Sequence, residues 1–186
     1  MIRNLFPAWI RLLIGTLSIT LLASSKVFSS PSVDVELDPT DFLLGGYRIH
    51  AGFIKNPIRY DLGILSVNIP KIFYGNNQFD YQISGVVARV DYLFDTYQKW
   101  FVGIEGTWMK NTYTHIATNV SETRRPFLLA TRIGYRFVFF DHLTVTPWVG
   151  LGALLNKGSE YVEVGGDKFK VSTFNVFPTV HVGWAF

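Results

Sequence analysis

The sequence predicts an all-β chain, an antiparallel up-and-down β-barrel whose strands cross a membrane. Three observations carry that expectation. Aromatic residues fill 16% of the 186 positions beside 16 glycines and only 2 methionines, a composition suited to strands and tight turns. Apolar residues recur at every second position, as in "FPTVHVGWAF", where Val180, Val182, Trp184 and Phe186 are separated by His181, Gly183 and Ala185. The connections between such stretches alternate between short and long.

With 48% hydrophobic residues the chain does not read as disordered, and its length suits one domain. The N-terminus reads as a secretory signal. Arg3 and Arg11 supply positive charge, Leu12 to Ala23 an apolar stretch, and Val27-Phe28-Ser29 a cleavage site, which divides the chain into a leader over 1–29 and a barrel domain over 30–186. The leader takes away Arg3, Arg11 and Lys26 and no acid, so 17 basic residues less these three leaves 14 against 14 acids. The net charge of the whole chain therefore gives no argument for nucleic-acid binding. Beyond the leader no run reaches the roughly 18 to 20 apolar residues that a membrane helix needs, so a membrane-spanning chain must close a barrel. The absence of cysteine excludes disulfides and thiolate metal or redox sites.

In chain order, strands are expected at 33–37, 43–54, 60–69, 81–94, 99–113, 124–139, 143–156 and 169–186. The first, "VDVEL", is short but alternates cleanly; read as a strand it brings seven readable strands to the even number usual for bacterial single-chain barrels, the alternative being a periplasmic plug or surface helix with the eighth strand elsewhere. Short turns fall at Lys55 to Ile58, Asp95 to Gln98 and Phe140 to His142, where Pro, Asp and Asn supply turn chemistry. Long polar loops are expected at about 70–80, 114–123 and 157–168.

The two faces of each strand differ in kind. From Pro126 to Phe139 one register reads Phe127, Leu129, Thr131, Ile133, Tyr135, Phe137 and Phe139; the other holds Ala130, Arg132, Gly134 and Arg136. Trp100, Val102, Ile104 and Trp108 alternate likewise with Gly103, Glu105 and Thr107. Registers alone do not say which face is inside, and a soluble lipocalin-like ligand-binding barrel would put the apolar face inward. The aromatics beside the short turns, Tyr92, Phe94, Tyr97, Trp100, Tyr135, Phe137, Phe139, Phe140, Trp184 and Phe186, favour a membrane-interface girdle instead.

The register Val180, Val182, Trp184, Phe186 resembles the C-terminal signature by which assembly machinery recognises bacterial outer-membrane barrels. With the leader and the turn pattern, residues 43–186 look like the small eight-stranded barrels of the OmpA type. That resemblance implies an outer-membrane location, outer-membrane lipid and the barrel-assembly machinery as partners, and a structural or surface-interaction role.

If the apolar register faces lipid, the lumen receives Arg48, His50, Asp61, Arg89, Asp91, Glu105, Arg132, Arg136 and His181. Eight strands leave a lumen that side chains fill, so these groups are expected to form an ionic plug. No catalytic residue, cofactor or metal site is expected: the four histidines lack ligand spacing, and "GLGAL" and "VGGDK" read as lumen glycines and a hairpin tip. The competing reading is a lipid A-modifying acyltransferase or deacylase, with His115 and Ser121 in one outer loop or His181 beside Thr179. Val182 and Gly183 after His181 depart from the His-x-Ser arrangement of the deacylases. Tyr113, Asn119, Tyr161 and Asp167 are the loop positions expected to meet an unidentified external partner.

Overall fold

The computed structural model describes residues 32–94 and 99–186. The expected leader, the Asp95 to Gln98 turn and Tyr97 of the girdle lie outside the described residues. Eight strands close a ring: β1 (Ser32–Leu37), β2 (Tyr47–Lys55), β3 (Ile58–Ile69), β4 (Phe79–Leu93), β5 (Trp100–His115), β7 (Phe127–Tyr135), β9 (Leu143–Leu155) and β12 (Phe174–Ala185). Each pairs antiparallel with the next, and β12 pairs with both β9 and β1, which closes the barrel.

Two smaller strands, β6 (Val120–Arg124) and β8 (Phe137–Phe139), extend β7 at either end. The register on β5 is continuous from Asn111↔Arg124 to Trp108↔Phe127, and on β9 from Gly134↔Trp148 to Phe137↔Val145. The breaks fall where Pro126 interrupts one strand and Pro147 faces the other, because proline has no N–H for the ladder. The strand expected at 124–139 is therefore one rail in three pieces.

At one end the connections are short. Phe140 and Asp141, both with positive φ, make the tight turn between β8 and β9. At the other end lie a short helix, α1 (Pro39–Leu43), between β1 and β2, a second, α2 (Lys71–Tyr74), between β3 and β4, and a hairpin of β10 (Tyr161–Val164) and β11 (Asp167–Lys170) with Gly165 and Gly166 at its tip. Asp38 caps α1 by accepting from the Thr40 N–H at 2.8 Å, and Pro39 follows at the first helical position. That helix and the turn after it displace the start of β2 from the expected 43 to Tyr47. The expected loop at 114–123 shrinks to four residues because β5 and β6 continue pairing to His115↔Val120.

The faces separate by chemistry. Large apolar side chains point outward, among them Leu62 (66% exposed), Trp108 (60%), Ile104 (57%) and Leu151 (56%). The charged register points inward and is sealed. This is the reverse of a soluble ligand-binding barrel, so the lipocalin-like expectation fails. Toward the long-loop end the interior turns apolar: Phe79, Tyr113, Leu128 and Leu154 pack with Val162, Val164, Phe169 and Val171, and the hairpin's Phe169 ring sits against Tyr74, Phe79, Tyr81 and Tyr113 at 4.9–5.5 Å. Around the short-turn end, Trp100 meets Tyr135, Tyr135 meets Phe137, and Tyr92 meets Phe94 at centroid distances of 5.0, 4.6 and 6.3 Å.

Candidate functional site

The short-turn half of the lumen holds an ion network centred on Arg59. Its Nη2 donates to Asp34 Oδ1 at 2.8 Å, Asp61 Oδ2 at 2.9 Å and Glu36 Oε2 at 3.1 Å, and its Nε donates to Asp34 Oδ2 at 3.1 Å. Arg136 Nη1 lies 2.7 Å from Asp34 and 3.2 Å from Glu36, so β1 brings two carboxylates to two guanidinium groups. Arginine's forked donors suit such sharing. His50 Nδ1 is 2.9 Å from Asp61, His181 Nδ1 is 3.3 Å from Glu36, and the two imidazoles stack at 5.1 Å.

A second layer lies beside it. Arg89 Nε donates to Glu105 at 2.7 Å, and the Thr107 hydroxyl donates to the same carboxylate at 3.1 Å. Arg132 lies 3.3 Å from Asp91 and is held between the Phe101 and Trp148 rings at 4.8 and 4.3 Å. Arg89 shares the Trp148 ring at 5.1 Å. Glycine makes room for these groups: a Cβ on Gly63 would run into the His50 ring, and one on Gly103 into the Asp91 carboxylate.

Eight of the nine lumenal residues expected from sequence are buried here: His50, Asp61, Arg89, Asp91, Glu105, Arg132, Arg136 and His181. Arg48 stands apart, donating from Nε to Asp41 of α1 at 2.8 Å. Sequence reasoning missed Asp34, Glu36 and Arg59, although each carried a signal. Asp34 and Glu36 are the polar register of "VDVEL", and Arg59 stands two residues before Asp61 on the same face.

The residues of the enzymatic reading are engaged otherwise. His115 is no solvated loop residue. It is 5% exposed, with Nδ1 2.9 Å from the Thr118 hydroxyl and Nε2 2.9 Å from Asp167, tying the hairpin to the end of β5. The Ser121 hydroxyl pairs with Thr114 at 2.8 Å. Tyr113, expected in a loop open to a partner, is 1% exposed and stacks on Tyr81 inside the barrel. Asn119 and Tyr161 are exposed, whereas Asp167 is half-buried against His115. Among the described residues no cluster of His, Cys, Asp and Glu has metal-binding geometry. Val180, Trp184 and Phe186 occupy the outward register of β12, with Val182 half-buried among them, and the Phe186 N–H donates to Val33 at 2.8 Å.

These features define a closed eight-stranded antiparallel barrel with an apolar exterior and an ionic interior. No family model and no curated protein matches the chain. Among solved structures it is similar to Neisserial surface protein A, with 13% identity over 83% of this chain and 94% of that one at a TM-score of 0.48. It is also similar to the N-terminal β-barrel domain of Pseudomonas aeruginosa OprF, with 10% identity, 83% and 97% coverage and a TM-score of 0.47.

Proposed function

We propose that this chain is an integral outer-membrane barrel with a structural or surface-interaction role and a lumen plugged by its ion network. One observation carries the reading: fully buried charges line the inside while large apolar side chains cover the outside. In water that exterior would be unpaid hydrophobic exposure far beyond scattered surface residues; in a bilayer it meets its own kind. The closed ring also leaves the spanning backbone paired, which a hydrocarbon layer demands. A non-enzymatic role fits the use of His115, Ser121 and His181 as ties and packing. The outward register Val180, Val182, Trp184, Phe186 is proposed as the assembly signal read by the barrel-assembly machinery.

The reading is tested by fractionation and by gel mobility. The protein should partition with outer membrane and, once extracted, run faster unheated than boiled. Recovery as a soluble monomer without detergent would contradict it. Release or transfer of acyl chains from lipid A, abolished by His115→Ala, would favour the enzyme instead.

A further inference from the structure

On one wall of the barrel the apolar exterior ends at a single rung of the ladder. Ile64, Val86, Trp108, Phe127 and Leu155 oppose one another in turn across β3, β4, β5, β7 and β9, on the outward register. The Trp108 and Phe127 rings meet there at 5.0 Å, so an aromatic pair marks the edge of the apolar band.

One rung nearer the long loops, the outward register turns polar. Ser66 opposes Ser84, Ser84 opposes Lys110, and Lys110 opposes Arg125, since Trp108↔Phe127 and Asn111↔Arg124 bracket that last pair in one unbroken register. Lys110 and Arg125 are both exposed. Like charges directly opposite on a ladder repel and weaken it.

Nothing in the described chain offsets that repulsion. Other exposed lysines have acids to hand: Lys71 lies 3.4 Å from Asp80, Lys168 2.9 Å from Glu163 and Lys170 3.2 Å from Glu160. Among the described residues the side chains of Lys110 and Arg125 have neither an ion-pair nor a hydrogen-bond partner. Glu122, close to Arg125 in sequence, stands opposite Tyr113 on the inward register. Asp80, the acid on the outward register of β4, is already tied to Lys71 and lies about 13 Å along the strand from Ser84. Arg124 turns the other way and donates to the carbonyls of Lys157, Ser159 and Tyr161. The rung above the two cations is uncharged, with the Thr112 and Thr123 hydroxyls 3.5 Å apart.

We infer that Lys110 and Arg125 form a binding site for the phosphate of an anionic lipid headgroup in the leaflet at the long-loop end. It rests on the membrane reading above, which sets the height of this wall in the bilayer but is silent on headgroup charge. A lipid whose chains lie against Trp108 and Phe127 carries its headgroup to the next rung, about 7 Å along the strand. There the Arg125 fork donates to two phosphate oxygens and the Lys110 ammonium adds a point charge. The Ser84 hydroxyl beside Lys110 supplies a further donor. The bound anion turns a repulsive pair into a shared one.

The test is native mass spectrometry of the detergent-solubilised barrel titrated with phosphatidic acid, which presents a bare phosphate, and with phosphatidylcholine of the same chains, whose phosphate is covered by choline. Phosphatidic acid should bind more tightly. Lys110→Gln and Arg125→Gln should each raise its Kd about fivefold, while Lys168→Gln on the hairpin should leave it unchanged. Gel mobility before and after heating checks that each variant is folded. Equal binding of the two lipids, or a preference that survives the double variant, would overturn the site. Displacement of phosphatidic acid by an equal concentration of inorganic phosphate would assign the pair to a free anion and overturn the lipid headgroup. These results concern a barrel that needs detergent; a chain that is soluble and monomeric without it would bring down the membrane reading itself.

Discussion

Arg59 touches four carboxylates, those of Asp34, Glu36, Asp61 and Asp91. Removing it strands several buried acids at once, a loss of the kind that costs about 3–5 kcal/mol for one broken buried pair. Arg59→Met should therefore lower the urea midpoint of the detergent-solubilised barrel more than Arg48→Met, whose pair with Asp41 is partly exposed and worth little by comparison. Equal midpoints for the two variants would show that the network is not centred on Arg59. At this scale the sequence was informative wherever a charge stood inside a recognisable alternation, as with Arg89 and Asp91 or Arg132 and Arg136. It was silent on Arg59 because the strand was begun one residue too late. Trp148 escaped notice because an aromatic on the inward register looks no different from one in a girdle until Arg132 is seen lying on it.

Two elements carry predictions of their own. On β12, Val180 points outward and Thr179 inward beside Asp38. An arginine at a lipid-facing midplane position costs roughly 2–4 kcal/mol, and less toward the interface. Val180→Arg should therefore depress insertion into vesicles more than Thr179→Arg, which gains an acidic neighbour; the opposite order would exchange inside and outside. The β10–β11 hairpin is held down by Phe169, which is 3% exposed among aromatic rings. Phe169→Ala removes a contact worth about 3–5 kcal/mol in a packed core, so the hairpin should open and be cut by protease in intact vesicles while the barrel survives. An uncut hairpin would show that the tie from His115 to Asp167 suffices. The eight ring strands and their order were legible, because period-two alternation survives even in six residues, but the β10–β11 hairpin was hidden in an expected loop at 157–168 and an expected single strand at 169–186. Three further features were not: α1, whose "DPTDFL" runs up to Leu43, where a strand start was expected; the pieces of the β6–β7–β8 rail, one break set by Pro126 within it and the other by Pro147 in a neighbouring strand; and the inward packing of Tyr113 and His115, set by a hairpin about 50 residues away in sequence.

For the whole molecule, the ion network and the apolar cluster above it fill successive layers of the lumen, so reconstituted protein should show little steady conductance in planar bilayers. Glu105→Ala should destabilise the fold before any channel appears, because Arg89 loses its 2.7 Å partner. A large, stable wild-type conductance would refute the plug. Sequence patterns could show that two unlike faces exist but not which one is inside; closure of the ring decides that, and closure depends on β1 meeting β12 across the length of the chain. The measurement that tests this central claim most directly is an accessibility scan of single nitroxide labels along β7 and β9 in lipid vesicles. Labels at Leu129, Ile133, Val149 and Leu151 should be exposed to oxygen in the acyl region, while Ala130 and Thr144 should be shielded from both oxygen and nickel. Nickel access at the first set, or oxygen-rich lipid contact at the second, would contradict a barrel that is apolar outside and ionic within.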